Sequence, residues 1–295
     1  MERIITYAKA LSEAIDLCMA KDDKVYIMGL GVPDPSGFFG TTIGLQEKYG
    51  KMRAMDMPTS ENGMTGVAIG SALTGMRPIM AHHRMEFALL ATEQIINQAA
   101  NWHYMFGGKS SMPLVIRMFI GRGWGQGPQH SQSLQAMFAH IPGLKVIMPA
   151  TPYDAKGLMI SAIEDNNPVI FLEHRWLHTI TGKVPEAIYR IPIGKANIAR
   201  SGSDVTIVAF SYMVIEALFA ANILMTLGID AEVIDMRSIR PLDADAVLES
   251  VKKTGHLVVA DQAWKTGGIA GEIIALTCEE AFGFLKANPV RLTLP

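Results

Sequence analysis

Residues 121–132, GRGWGQGPQHSQ, place glycines at alternate positions ahead of a histidine that could take part in proton transfer. A glycine-rich loop can hold a phosphate with its backbone N–H groups, and a histidine titrates near neutral pH. Dinucleotide sites use the spacing G-x-G-x-x-G, whereas this loop has G-x-G-x-G-x-G, and the next predicted strand ends without an acid. The pattern therefore disfavours a nucleotide site. It leaves two interpretations of His130, a residue delivered to a reaction centre or a capping and packing residue.

Glu61 is the second candidate, because it begins a predicted helix directly after Ser60, a residue type that often caps helices. An acid in the first helical turn is stabilised by the positive end of the helix dipole, and it can also hold a proton for chemistry. The helix that follows is rich in glycine and alanine, so another backbone can approach it closely. Glu61 is therefore either a surface acid that complements the dipole or an acid placed in a site.

His82, His83 and Arg84 form a third candidate, between a predicted strand and a predicted helix. Loops at the carboxyl ends of parallel strands form ligand sites, so we expect at least one of these side chains to face such a site. A guanidinium can bind a carboxylate or a phosphate through two hydrogen bonds. Arg84 is thus a candidate ligand for an anionic substrate, and the alternative is an ion pair between Arg84 and Glu86.

The order of apolar segments predicts the scaffold that must position these residues. Short apolar runs, typical of strands buried on both faces, alternate with stretches whose apolar residues recur at helical spacing. This alternation predicts the α/β class, with two doubly wound domains that each contain a mostly parallel sheet covered by helices on both faces. In the first half we predict strands at 25–30, 77–82, 113–120, 144–150 and 168–174, and helices at 5–20, 61–74, 86–105 and 153–165.

A polar segment, residues 181–204, interrupts this alternation and predicts a hairpin or a linker. We place the domain boundary near residue 190, which gives domains at 1–185 and 190–295. The second domain ends in the segment NPVRLTLP, which predicts a strand at the end of the chain. In that domain we predict strands at 205–210, 231–236 and 256–260, and helices at 212–226, 243–253 and 268–281.

The amino-acid composition is typical of a globular protein and argues against a nucleic-acid-binding or membrane-spanning one. The 295 residues are 49% hydrophobic and 18% charged, with a net charge of −2, which is typical of a globular protein and lacks the basic excess of a nucleic-acid-binding surface. No apolar run reaches the roughly 18 residues of a membrane span, and both cysteines lie in apolar helical patterns. We expect a cytoplasmic protein that binds neither nucleic acid nor membrane.

Four segments carry a family resemblance. They are SENGMTGVAIGSALTGMRPI, PLVIRMFIGRG followed by QHSQ, IPGLKVIMPATPYDAKGLMISAIEDNNPVIFLEH, and IPIGKANIARSGSDVTIVA followed by DMRSIRPLD. Their content and order resemble the β subunits of thiamine-diphosphate-dependent 2-oxo acid dehydrogenases, including the pyruvate, branched-chain and acetoin dehydrogenases. The resemblance extends over residues 4–294, and it implies a transketolase-like pyrimidine-binding domain followed by a transketolase C-terminal-like domain. It also implies that this second domain is shortened at its C-terminus, because the family's β subunits usually continue further.

The resemblance implies roles for the candidate residues. Glu61 would bind the aminopyrimidine ring of thiamine diphosphate and promote the proton transfer that activates the cofactor. Phe87 would pack on the pyrimidine, and Leu30 and His83 would lie beside the cofactor. His130 would lie near the substrate and take part in acyl transfer. The glycines ahead of it would then shape a histidine-delivering loop rather than a phosphate cradle.

Two segments depart from the family pattern near this expected site. Leu30 and Gly31 stand where acids are common, and the histidine–arginine run stands where apolar or weakly polar residues are usual. Leu30 removes a negative charge, while Arg84 adds a positive one. We therefore expect His83, Arg84 and His130 to contact a substrate or acceptor that bears an additional anionic or polyhydroxyl group.

The resemblance also implies cofactors and partners. The chain has no diphosphate- and magnesium-binding motif, which in the family lies on an α-type subunit. An α2β2 assembly is expected, in which the partner holds most of the Mg²⁺ contacts and the β chains associate with each other. A dihydrolipoyl acyltransferase core is a further expected partner. A monovalent cation such as K⁺ is expected at the backbone carbonyls of Leu114, Ala162, Asp165 and Asn167.

We predict a catalytic β subunit that decarboxylates a 2-oxo acid and passes the acyl or aldehyde unit to an acceptor such as lipoyl-lysine. One alternative is the C-terminal half of a split transketolase-type or carboligating enzyme that acts on sugar-like substrates. Another alternative, of a different class, is a non-catalytic scaffold subunit that binds an acyltransferase core. A scaffold would need none of Glu61, Phe87 and His130, which favours the catalytic interpretation.

Overall fold

The computed structural model of the protein describes residues 3–295. The strands are β1 (Ile4–Thr6), β2 (Val25–Gly29), β3 (Ala54–Met55), β4 (Arg77–His82), β5 (Val115–Ile120), β6 (Lys145–Ile147), β7 (Val169–His174), β8 (Thr181–Lys183), β9 (Asn197–Arg200), β10 (Val205–Ala209), β11 (Ala231–Asp235), β12 (Ser238–Arg240), β13 (Leu257–Trp264) and β14 (Val290–Leu294). The α-helices are α1 (Tyr7–Lys21), α2 (Leu45–Tyr49), α3 (Glu61–Leu73), α4 (Met85–Ala88), α5 (Ala100–Met105), α6 (Gln135–Ala139), α7 (Pro152–Glu164), α8 (Tyr212–Thr226), α9 (Ala244–Thr254) and α10 (Ile269–Ala281).

The larger sheet has the strand order β12-β6-β7-β5-β4-β2-β3. All neighbouring strands in it are parallel except β12, which pairs antiparallel with β6. Strands β2, β5 and β7 are buried along their whole length, as expected of a parallel sheet covered by helices. They are mostly apolar, and the buried charges of Arg117 in β5 and Glu173 in β7 form an ion pair with each other. This order places the carboxyl ends of β4, β5 and β7 side by side, so the residues that follow these strands meet at one edge.

The second sheet has the order β14-β13-β10-β11-β9, parallel except for β9. The predicted class, α/β with doubly wound, mostly parallel sheets, is confirmed. The two halves share an apolar core, in which Phe210 and Ile234 from the second half lie in one cluster with Ile95 and Phe138 from the first. Strand β12, from the second half, completes the edge of the first sheet. The halves are therefore joined by backbone pairing as well as by packing.

Helix starts follow from local sequence in two cases that support the first sheet. The Thr6 side chain accepts a hydrogen bond from the Lys9 N–H at the start of α1, and Thr151 accepts one from the Asp154 N–H at the start of α7. Pro152 occupies the first turn of α7, where its missing N–H has no cost. The two helices pack against each other and cover one face of the sheet.

Ser60 occupies the N-cap position of α3, but the prediction that it caps the helix is wrong in its chemistry. Its side chain makes no capping hydrogen bond. The N–H of Gly63, which a capping serine would bind, instead donates to Oδ1 of Asn62 at 2.7 Å. The side-chain oxygen of Asn62 therefore accepts the hydrogen bond that the Ser60 hydroxyl would accept as a cap.

The segment 86–105, predicted as helical, is helical over residues 85–105, but its hydrogen-bonding pattern changes along its length. The α-helical turn α4 passes into a 3-10 turn at Leu89–Ala91, then a π-helical stretch at Gln94–Ala99, and then α5. Apolar spacing alone does not separate these three helix types, since all bury one face. The polar segment 181–204 also contributes two strands, β8 and β9, to sheets that distant parts of the chain complete.

Candidate active site

The glycine-rich loop leaves the carboxyl end of β5 and lies against the segment that follows β7. Gly121 and Gly123 have φ values of +101° and +103°, which favour glycine. A Cβ atom on Gly121 would lie 2.2 Å from Nε2 of His174, and one on Gly123 would lie 2.3 Å from the Trp176 ring. The glycines are thus required for close approach of the loop to His174 and Trp176.

The loop ends in a 3-10 turn, Pro128–His130, which brings His130 onto Phe87. The two rings meet edge to face, with 5.2 Å between their centroids and an interplanar angle of 75°. Both side chains are partly exposed. The structure therefore brings together two of the residues that the sequence assigns to one site.

Glu86, which the sequence analysis treated only as an ion-pair partner, fastens this loop in place. Its Oε1 accepts a hydrogen bond from the Gln132 N–H at 2.7 Å, two residues beyond His130. The carboxylate is almost fully buried, and its other oxygen, Oε2, lies 3.4 Å from Nε of Arg84. Glu86 is a positioning residue, since it joins the segment after β4 to the turn that carries the histidine.

Glu61 lies in the first turn of α3 with its side chain partly exposed. Its carboxylate makes no hydrogen bond or ion pair with any other residue in the described range 3–295. Helix α3 packs against α4, which contains Phe87, and against the following 3-10 turn. A carboxylate without a protein partner is therefore held on an element that adjoins the Phe87–His130 pair.

The side chain of His82 points into the protein rather than into the site. It is 1% exposed, and its Nε2 lies 3.2 Å from Oγ1 of Thr65 in α3. Burial lowers the pKa of His82 to about 4, so the imidazole is neutral near pH 7. This contact joins β4 to α3 and helps to set the position of Glu61.

His83 and Leu30 contribute mainly apolar surface. The His83 ring packs on Phe38 and Phe39, with centroid separations of 4.9 and 4.6 Å. Burial lowers the pKa of His83, which favours its neutral form. Leu30, directly after β2, is partly buried and packs against the apolar core. Neither residue supplies a charge near neutral pH.

Arg84 is 4% exposed and is held on three sides. Its Nη1 donates to Oε1 of Gln126 at 2.9 Å, and its Nη2 donates to the Gly121 carbonyl at 3.0 Å. Its Nε faces Glu86, and its guanidinium lies over the Trp124 ring at 4.9 Å. The alternative in which Arg84 pairs with Glu86 is thus observed, and Arg84 also binds the glycine-rich loop at Gly121 and Gln126.

Arg175, Trp124 and Trp176 lie at the same edge of the sheet, although the sequence analysis did not select them. Arg175 directly follows β7, and its guanidinium lies 4.5 Å from the centroid of the Phe39 ring. Trp124 and Trp176 approach each other with 6.3 Å between ring centroids. The one signal that could have identified Arg175 is its place at the carboxyl end of a predicted strand, since such positions form ligand sites.

The four carbonyls expected to bind a monovalent cation lie near the end of α7 and the start of β5. Within this region the Leu114 carbonyl accepts from Val169 N–H at 2.9 Å, and the Ala162 carbonyl accepts from Asp165 N–H at 3.3 Å. Nη1 of Arg77 donates to the Asp165 carbonyl at 3.0 Å. These oxygens already accept protein hydrogen bonds, although each retains a second lone pair.

Asn167 shares this turn, where its N–H donates to Oδ1 of Asp165 at 2.9 Å.

In the described part of the chain, no cluster of three or more His, Cys, Asp or Glu side chains could hold a metal ion. No helix there is long and apolar enough to cross a membrane.

Comparison with known proteins identifies both halves of the chain. Residues 3–179 match the family model described as "Transketolase, pyrimidine binding domain", and residues 194–295 match "Transketolase, C-terminal domain". The β subunit of acetoin:2,6-dichlorophenolindophenol oxidoreductase from Cupriavidus necator is 48% identical over 98% of this chain and 88% of its own length. The β subunit of the pyruvate dehydrogenase E1 component from Rickettsia felis is 46% identical over 96% of this chain and 87% of its own length.

A solved structure supports the fold. The split gene transketolase, described as an inactive β4 tetramer, superimposes with a TM-score of 0.79 and covers 99% of this chain and 90% of its own. At 24% sequence identity, this similarity concerns the arrangement of strands and helices alone.

Proposed function

This chain belongs to the transketolase-type family that includes the β subunits of pyruvate and acetoin dehydrogenases, and from that premise we propose that it is the β subunit of a thiamine-diphosphate-dependent 2-oxo acid dehydrogenase. It decarboxylates a 2-oxo acid and passes the acyl or aldehyde unit to an acceptor such as lipoyl-lysine. The relatives named as dehydrogenase or oxidoreductase β subunits are 43–48% identical, whereas the split transketolase is 24% identical. This difference favours the dehydrogenase over the sugar-directed alternative.

The observation that carries the proposal is the contact between Phe87 and His130 beside a helix that begins with Glu61. These residues match the family's pyrimidine-packing aromatic, active-site histidine and cofactor-activating acid. All three side chains are partly exposed, and the carboxylate has no partner in the described residues. A scaffold subunit would have no need for such a free acid.

The residues present fit thiamine diphosphate. When bound, this cofactor supplies a nucleophilic carbon and an electron sink for decarboxylation. Glu61 would hold a proton at the ring nitrogen of the aminopyrimidine, and Phe87 would pack on the ring face. His83 and Leu30 would form an apolar wall and exclude water, since both contribute apolar surface here. His130 would hold or release a proton at the oxygen of the substrate.

The proposed assembly is α2β2. An α-type partner would hold the diphosphate and most of the contacts to Mg²⁺, because the chain lacks that motif. Exposed apolar side chains on one helix of the second half are available for association of subunits, with Phe219 63% and Ile223 64% exposed. A dihydrolipoyl acyltransferase core would dock on the assembled enzyme.

Three further assignments belong to the proposal. The pyrimidine-binding domain extends over residues 1–185, and the C-terminal domain extends over 190–295. The four carbonyls near the end of α7 bind a monovalent cation such as K⁺. The protein works in the cytoplasm, in keeping with its bacterial relatives.

The test is reconstitution with an α-type subunit that carries the diphosphate motif. The purified complex is given thiamine diphosphate, Mg²⁺ and a series of 2-oxo acids, with 2,6-dichlorophenolindophenol as the electron acceptor. Substrate-dependent reduction of the dye is expected only when both subunits are present. Equal rates for the α-type subunit alone would overturn a catalytic role for this chain. Ketol transfer between sugars, without dye reduction, would select the transketolase alternative.

A further inference from the structure

A cavity of ≈ 430 Å³ opens at the carboxyl edge of the larger sheet, beside the loop that carries His130. Its polar lining consists of the guanidinium groups of Arg84 and Arg175 together with Gln126 and Thr179. Within the described residues, no carboxylate is part of this lining. Its apolar lining comprises four aromatic rings, those of Phe39, Phe119, Trp124 and Trp176. The cavity therefore presents positive charge and aromatic surface together.

The two arginines differ in how far their donors are already used. Arg84 faces Glu86 with Nε and donates from Nη1 and Nη2 to Gln126 and the Gly121 carbonyl. It supplies charge to the cavity, but most of its hydrogen-bonding capacity serves the loop. Its role at the cavity is therefore mainly electrostatic.

The hydrogen-bond donors of the Arg175 guanidinium are not used by other groups in the described chain. In the described chain the guanidinium makes no hydrogen bond and no ion pair, and it lies over the face of the Phe39 ring. Burial lowers the pKa of Arg175, which reflects the cost of removing a charged group from water. A partly buried guanidinium without a partner is stabilised by a bound anion, which it can hold through two parallel hydrogen bonds.

We propose that this cavity binds a phosphate group or a second carboxylate carried by the substrate or the acceptor, with Arg175 as its principal ligand. Arg84 raises the local positive potential, and the rings of Trp124 and Trp176 pack against the adjoining organic part of the ligand. The glycine-rich loop lines the cavity with Trp124 and Gln126 and also carries His130, so the anionic group would be anchored beside the reacting end. The assignment to substrate or acceptor rests on the proposed function, whereas binding of the anion itself does not.

The test is a fluorescence titration of the full chain, because Trp124 and Trp176 line the cavity and report on its occupancy. Inorganic phosphate and malonate serve as separate probes, which distinguish a phosphate site from a dicarboxylate site. We expect a saturable change with at least one of them. Arg175→Gln should weaken that binding by about tenfold or more, as expected for loss of a charge-assisted hydrogen bond. The control Arg122→Gln, at an exposed arginine of the same loop, should bind as the wild type does.

Three results would overturn the proposal. The first is the absence of a saturable response to either probe, and the second is equal binding by Arg175→Gln and the wild type. The third is a response that the isolated chain shows and the reconstituted complex loses, because a carboxylate of the partner would then neutralise Arg175. Anion binding in a complex that has no activity toward any 2-oxo acid would refute the proposed function and leave the site in place.

Discussion

The rings of Phe87 and His130 meet edge to face at 5.2 Å between centroids, although 43 positions separate them in the chain (130 − 87). Phe87 lies in the short helix after β4, whereas His130 lies in the turn at the end of the glycine-rich loop. Glu86 holds that turn through the Gln132 N–H. The position of the histidine is therefore determined by neighbours on both sides.

His130→Ala should slow transfer of the acyl unit more than it weakens binding of the cofactor. The imidazole lies beside the aromatic ring assigned to the pyrimidine, so its removal leaves Glu61 and Phe87 in place. Stopped-flow measurement of decarboxylation, compared with overall turnover in the reconstituted enzyme, separates the two steps. A collapse of cofactor affinity with no selective effect on transfer would make His130 a structural residue.

Glu61→Gln should reduce turnover of the reconstituted enzyme by roughly 10²- to 10⁴-fold, the range for loss of a positioned acid–base group. Folding should be retained, because the carboxylate has no protein partner to lose among the described residues. Glu47→Gln is the matched control, since Glu47 is also an acid in the first turn of a helix. Near-normal turnover of Glu61→Gln would contradict a role in activating the cofactor.

Gly123→Ala should lower turnover on the order of 10²-fold, as expected when a catalytic group is displaced by about 1 Å. An added Cβ would lie 2.3 Å from the Trp176 ring, so the loop and its histidine must shift. Gly125→Ala is the control within the same loop. Gly125 also has a positive φ, +72°, but a Cβ atom added there would have no neighbour within 4 Å. Gly125→Ala therefore introduces backbone strain without a steric clash. Equal activity of the two variants would show that contact with Trp176 is unimportant.

Asp235→Asn should make unfolding less sensitive to pH. Desolvation, together with the nearby Asp154 carboxylate, raises the pKa of Asp235 to about 8. The folded protein then binds a proton that the unfolded chain, with an ordinary pKa of 3.8, releases. The contribution of this acid to stability is therefore fully present at low pH and is lost as the pH rises through about 8.

The measurement is the difference in melting temperature between Asp235→Asn and the wild type as the pH rises from 3.8, the ordinary pKa of the group, to about 8, its pKa in the folded protein. The melting temperature of the variant should increase relative to that of the wild type as the pH rises, because asparagine cannot ionise beside the Asp154 carboxylate. Asp245→Asn, at an exposed position in the first turn of α9, is the control for loss of a carboxylate outside this buried pair. A difference for Asp235→Asn that stays constant with pH would contradict the assigned pKa direction.

The isolated chain should show no saturable binding of thiamine diphosphate with Mg²⁺, because it lacks the diphosphate motif and supplies only the pyrimidine half of the site. Calorimetry on the isolated chain, and then on the complex with an α-type subunit, checks this. Micromolar binding to the chain alone would contradict an α2β2 arrangement with a shared site.

The sequence by itself determined the α/β class and the positions of the main strands along the chain, and it predicts that Phe87 and His130 belong to one site. Buried strands are continuous apolar runs, and helices repeat at their own period, so both signals are local. Strand β4 was predicted at its observed bounds, 77–82, and helix α8 at 212–226. Glu61, Phe87 and His130 were recognisable because the segments around them follow a family pattern.

Only the tertiary structure decided which side chains converge. Arg84 and Arg175 line one cavity because the strand order puts β4, β5 and β7 side by side, a long-range arrangement that no short window of sequence records. Likewise, the π-helical stretch at Gln94–Ala99 and the amide that replaces the Ser60 cap depend on competing hydrogen bonds. Apolar spacing reports which face of a segment is buried, whereas partners for charge and hydrogen bonding are selected only after the chain has folded.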